Sequence, residues 1–118
     1  MEITGGVSIT GYSGGGGDLV IPSTLGGKPV LEIGSPRYNQ GVFENKGITS
    51  VVIPAGMRTI GTAAFAHNQL TFVIIPNSVI TIWSHAFANN QTGFVVIPDS
   101  VTHIGYGAFS YNQLTSVT

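Results

Sequence analysis

Leu70 to Gln91 reads LTFVIIPNSVITIWSHAFANNQ, and the chain writes nearly the same segment on either side of it. Ile48 to Gln69 is ITSVVIPAGMRTIGTAAFAHNQ, Thr92 to Gln113 is TGFVVIPDSVTHIGYGAFSYNQ, and Leu114 to Thr118 begins a further copy. The period is 22 residues without gaps. Ile53-Pro54, Ile75-Pro76 and Ile97-Pro98 align, as do Ile60, Ile82 and Ile104, then Phe65, Phe87 and Phe109. A fixed short period marks a solenoid, because one such unit is too small to bury its own apolar face and must stack on a neighbour.

Within a unit the alternation assigns each side chain a face. Leu70, Val73 and Ile75 stand where a leucine-rich strand places its inward residues, so Phe72 and Ile74 point out. Pro76 cannot donate to a ladder and ends the strand, and Asn77-Ser78 is turn chemistry. Val79 and Ile82 bring the chain back across the core. Ala86-Phe87 then sets a large ring into the widest part of the coil, in a segment expected to form a single helical or 3₁₀ turn. Asn68, Asn90 and Asn112 recur at one corner as a structural ladder, where an amide can satisfy the backbone groups that a bend leaves unpaired.

The first 47 residues are less regular. Val7, Ile9 and Tyr12 alternate, four glycines follow from Gly14 to Gly17, and Asp18 to Pro22 is apolar again. This pattern predicts a hairpin, with Asp18 to Pro22 as the returning strand. The glycine run lacks the Gly-Lys-Ser/Thr ending of a phosphate loop. Ile21-Pro22 aligns with the later Ile-Pro pairs if Ser23 to Val30 and Ser35 to Gly41 each carry about five inserted residues, a count of the kind internal-repeat comparison uses. An irregular first unit suits a cap whose outer face meets water. The expected organisation is one domain over residues 1–118: a capping hairpin and irregular first repeat over 1–47, regular repeats over 48–113, and the start of another over 114–118.

Composition narrows function. Apolar residues make up 42% and charged residues only 8%, with a formal net charge of -1. Lys28, Arg37, Lys46 and Arg58 are scattered, whereas nucleic-acid modules cluster their cations. No cysteine occurs, so thiolate metal sites and disulfides are excluded. No apolar run is long enough for membrane insertion. His67, His85 and His103 are spaced by 18 residues, out of step with the repeat, and are not expected to share a metal or catalytic site. The acidic residues likewise occupy different repeat positions, so no catalytic residue, cofactor site or metal site is assigned. Trp83, Tyr106 and Tyr111 read as partly buried packing on the return face, with an aromatic platform as the alternative.

The frame L-x-x-V-x-I-P-x-x-V-x-x-I-G-x-x-A-F-x-x-N resembles the BspA-like, or Treponema pallidum-type, leucine-rich repeat. That family commonly carries Cys where Asn68, Asn90 and Asn112 stand, and its units are one residue longer. Ile9-Thr10-Gly11-Tyr12, Ile21-Pro22-Ser23 and Gly27-Lys28-Pro29-Val30 are also similar to its first-repeat segment. The resemblance implies a right-handed, β-rich leucine-rich-repeat superhelix of about four coils with parallel strands on its concave face. It further implies a non-catalytic adhesion or protein-interaction module of a cell-surface or secreted protein, extracellular in setting, whose partner is a host, matrix or neighbouring-cell surface protein.

Binding is then expected on the concave strand face, in two columns: Ser50, Phe72, Phe94 and Ser116, beside Val52, Ile74, Val96 and Thr118. A contiguous apolar patch of this kind normally marks a contact surface. Self-association through that face, or through the open C-terminal strand edge begun by Leu114 to Thr118, is the related expectation. The alternatives are an architectural spacer that presents another domain and a carbohydrate-binding module attached to a secreted enzyme.

Overall fold

The computed structural model describes residues 2–34 and 39–117. The chain winds into a β-solenoid of about four turns, and each turn places one short strand on each of two sheets. The first sheet holds β3 (Gly17–Val20), β6 (Ile48–Val52), β8 (Phe72–Ile74), β10 (Phe94–Val96) and β12 (Ser116–Val117). All its ladders are parallel: β3 pairs with β6, and β10 pairs with both β8 and β12. β6 and β8 lie side by side. The second sheet runs β1 (Glu2–Ile3), β2 (Gly6–Ile9), β5 (Lys28–Ile33), β7 (Thr59–Ile60), β9 (Thr81–Ile82) and β11 (His103–Ile104). It is parallel except for two short antiparallel pairings, the β1–β2 hairpin and one at residues 24–29 described below.

The repeat sets the register on both sheets. Phe94 pairs with Phe72 and Ser116, while Ile33, Ile60, Ile82 and Ile104 line up across the second sheet. The core lies between the sheets: Val73, Ile75 and Val95 face Ile33, Ile60 and Ile82, with Met57 and Val79 filling between them. Along the third side Phe43, Phe65, Phe87 and Phe109 stack, with ring centroids 5.3 Å apart at each step and planes within 8° of parallel. Burying such a ring contributes about 1.5–3 kcal/mol, and here every ring packs on that of a neighbouring coil, with the last, Phe109, only partly buried.

That third side differs from the expected helical turn. No helix forms among the described residues; the segment is a succession of tight turns. Ala63 and His67 have positive φ, at 56° each, and the equivalent slots repeat the conformation at His85, Asn89, Gly107 and Tyr111. A left-handed residue breaks a helix after one turn. It also aims the backbone at the neighbouring coil, where Phe65 N donates to Ala86 O at 2.7 Å and Phe87 N to Ala108 O at 2.8 Å. The turn row is thus a third column of coil-to-coil hydrogen bonds.

The N-terminal region corrects a second expectation. β2 and β3 do not form a hairpin; they belong to opposite sheets, β2 against β5 and β3 against β6. Alternation and glycines are common to a hairpin and to a coil turning a corner, and here they serve the coil. Gly16 is needed at that corner, because a Cβ there would sit 2.4 Å from the carbonyl oxygens of Lys46 and Gly47. Among the described residues, the hairpins that do form are β1–β2 and a small one between β4 (Thr24–Leu25) and β5, the latter within the first inserted stretch. Of the second stretch, residues 35–38 lie outside the described residues. Tyr12 caps the ring column, its ring 4.8 Å from Phe43 and its hydroxyl donating to Gly15 O at 2.8 Å.

Candidate functional site

The outward face of the first sheet follows from strand alternation. Val73 and Val95 are fully buried, and their neighbours Phe72, Ile74 and Phe94 are exposed. Parallel, in-register pairing turns these single residues into columns. Phe72 and Phe94 stand side by side with ring centroids 6.4 Å apart, and Ile74 is paired with Val96. Val52, 57% exposed, extends the aliphatic column toward the N-terminal end, and Ser50 is half-buried at the head of the other. Ser116 shares the Phe94 register through its backbone, and Thr118 lies outside the described residues.

Two members of these columns escape a reading of the regular repeats. β3 pairs Asp18 with Ser50 and Val20 with Val52, so the face begins one coil earlier than the repeat does. Val20 is 68% exposed, and Ser50 Oγ donates to Asp18 Oδ1 at 2.7 Å. The alignment of Ile21-Pro22 with Ile53-Pro54 carries the signal, since it places Val20 where Val52 stands. The completed surface is an apolar stripe of Val20, Val52, Phe72, Ile74, Phe94 and Val96, with Asp18 its single ionisable group. Between β6 and β8 a shallow apolar cleft of about 280 Å³ opens, lined by Ser50, Val52, Phe72 and Ile74. Such a stripe can hold a partner by burial of apolar area, while Asp18 and Ser50 at its edge offer polar registration.

The corner asparagines serve the scaffold beneath. Asn68 and Asn90 are buried. Asn90 Oδ1 accepts from Leu70 N at 3.0 Å, and its Nδ2 donates to Phe65 O and Phe87 O at 3.0 and 3.1 Å. Asn68 accepts from both Lys46 N and Ile48 N, and Asn112 accepts from Thr92 N. Each amide therefore ties the start of its own coil to its end, and hooks the ring carbonyl of the preceding coil. These bonds run to backbone, not from amide to amide.

The remaining polar residues are dispersed. His67 lies 4.0 Å from Glu44 beside an open depression of about 680 Å³, whereas His103 touches Trp83 and His85 touches Tyr106. No group of three metal-ligating side chains forms among the described residues, and no helix there is long and apolar enough to cross a membrane.

A two-sheet solenoid with an exposed strand face defines a repeat protein of the leucine-rich type. The family model for the BspA type leucine rich repeat region matches residues 37–118 in six copies, and the chain belongs to that family. Among solved structures, a leucine rich cell surface protein from Faecalibacterium prausnitzii A2-165 is similar at 21% identity and a TM-score of 0.40. The match covers 100% of this chain and 51% of that one, so the chain spans about half its length. No curated protein matches.

Proposed function

We propose that the chain is a non-catalytic protein-interaction or adhesion module of a cell-surface or secreted protein, and that it binds through the outward face of the first sheet. The observation that carries this reading is the apolar stripe from Val20 to Val96. Monomeric proteins rarely leave contiguous apolar surface of more than a few hundred Å² uncovered. The family supports a surface setting; the partner proposed is a protein on a host, a matrix or a neighbouring cell. No catalytic residue, cofactor or nucleic-acid contact enters the proposal.

A second contact is favoured by the C-terminal end. Ile104 is 47% exposed where Ile60 and Ile82 are fully buried, and Leu114 is 36% exposed where Leu70 is fully buried. Core positions this open to water favour packing against another coil or another copy.

Light scattering over a concentration series, on the parent chain and the Phe72→Asp/Phe94→Asp variant, separates these contacts. Association of the parent alone assigns the stripe to self-contact. Equal association of both moves the contact to the open end. If both stay monomeric, the same pair is used to capture surface and matrix proteins; capture by neither refutes the stripe as a protein contact and leaves the spacer reading.

A further inference from the structure

On the far side of coils three and four, where the second sheet runs into the turn row, two ring pairs form between neighbouring coils, their members two to three residues apart along each coil. Trp83 is half-buried with its ring centroid 5.6 Å from that of His103. Tyr106 is 83% exposed and meets His85 edge-on, also at 5.6 Å. The cluster departs from the repeat. Trp83 stands in a lane that Gly61 and Gly105 occupy in the flanking coils, so the indole has no side chain beside it in its own column. His103 pairs with Thr81, itself paired with Thr59, and Tyr106 stands where Ser84 does. Three exceptions to a simple pattern thus fall at one corner.

That corner carries almost no charge. Residues 70–91 contain no Asp, Glu, Lys or Arg, and residues 92–113 contain only Asp99, which lies in the turn before β11, at the end away from the rings. Coils three and four thus offer rings and hydrogen-bonding groups here and no Asp, Glu, Lys or Arg side chain beside them; Arg58 stands one coil earlier, its carbonyl accepting from Thr81 N at 3.3 Å. The chemistry offered is ring faces from Trp83 and Tyr106, imidazole nitrogens from His85 and His103, and the hydroxyl of Thr81, the ladder partner of His103. Ring faces interleaved with hydrogen-bonding groups match a ligand that alternates C–H faces with hydroxyls. The stripe on the first sheet also shows two rings, Phe72 and Phe94, but sets them among aliphatic side chains and carries a carboxylate, Asp18, at its edge.

We propose that Trp83, His85, His103 and Tyr106 form a binding site for neutral carbohydrate, with sugar rings stacked on the indole and phenol and hydroxyls bonded to the imidazoles. The site is on a different face from the protein contact proposed above and does not depend on it.

The repeat supplies variants that keep the fold, because each replacement already stands in that slot of a neighbouring coil. Trp83→Gly, His103→Thr and Tyr106→Ser together return the corner to the plain pattern. Affinity electrophoresis is run in gels containing laminarin, xyloglucan or galactomannan, with far-UV circular dichroism to verify folding. Retardation of the parent by at least one polysaccharide, weakened about tenfold or more in the triple variant and retained in Phe72→Asp/Phe94→Asp, is the expected result. No retardation of the parent by any of the three overturns the proposal. So does equal retardation of the triple variant, or loss of retardation in the Phe72→Asp/Phe94→Asp variant, which would place sugar on the first sheet.

Discussion

Replacing Asn90 with alanine tests how the coils are held, and its cost follows from counting partners. Four hydrogen bonds are removed: one accepted from Leu70 N, and three donated to Phe65 O, Phe87 O and Ala88 O. The three carbonyls keep other donors, since Asn68 reaches Phe65 O, Asn112 reaches Phe87 O and His67 N reaches Ala88 O. Only the Leu70 N–H, on a fully buried residue, is left without its partner. One orphaned buried donor costs about 1–3 kcal/mol. Asn68→Ala should cost more, about 2–4 kcal/mol, because it strands the N–H groups of both Lys46 and Ile48. Asn112 is half-buried on the last coil, where water reaches Thr92 N more easily, so its loss should cost about 0.5–1.5 kcal/mol. Urea unfolding followed by circular dichroism and Trp83 fluorescence gives the midpoints, with unchanged slopes as the condition for comparing them. An Asn90→Ala midpoint equal to the parent's, or Asn112→Ala as the costliest of the three, would refute this accounting.

Gly105→Ala should destabilise by about 1–3 kcal/mol in the same urea assay, because the new Cβ would lie 2.5 Å from Ser84 N and backbone must move to admit it. Tyr12→Phe should change the midpoint little, since the lost hydroxyl bond to Gly15 O is exposed, whereas Tyr12→Ala uncovers the Phe43 end of the ring column and should cost about 2–4 kcal/mol. Equal midpoints for the two Tyr12 variants would show that the ring is no cap.

Much of this architecture is legible in the residues, and the limits have physical causes. The inserted lengths predict that Ile33 aligns with Ile60, and the second sheet pairs those two residues. Alternation correctly separates Val73 from Phe72, because burial on one face imposes a period of two. Alternation cannot name a strand's partner, which is why residues 7–22 read as a hairpin while β2 and β3 feed different sheets. That reading also hid Val20 and Asp18 from the stripe. The tight turns were illegible for another reason: Ala63 and His67 adopt positive φ without being glycine, held there by bonds to the next coil. Exposure of Tyr106 and Tyr111, both above 80%, differs from the partly buried packing their isolation suggests. Whether an aromatic ring lies in or out depends on a corner geometry that the period does not encode.

The direction of the asparagine bonds has a consequence for synthesis. Asn90 fastens Leu70, which precedes it by 20 residues, and reaches back 25 residues to Phe65; Asn112 repeats both spans with Thr92 and Phe87. None of these clamps waits for sequence still to be made. A nascent chain leaving the ribosome can therefore latch each coil as its last residues emerge, with the coil before it serving as template. Folding of this kind is vectorial, and it leaves only the newest coil open at any moment.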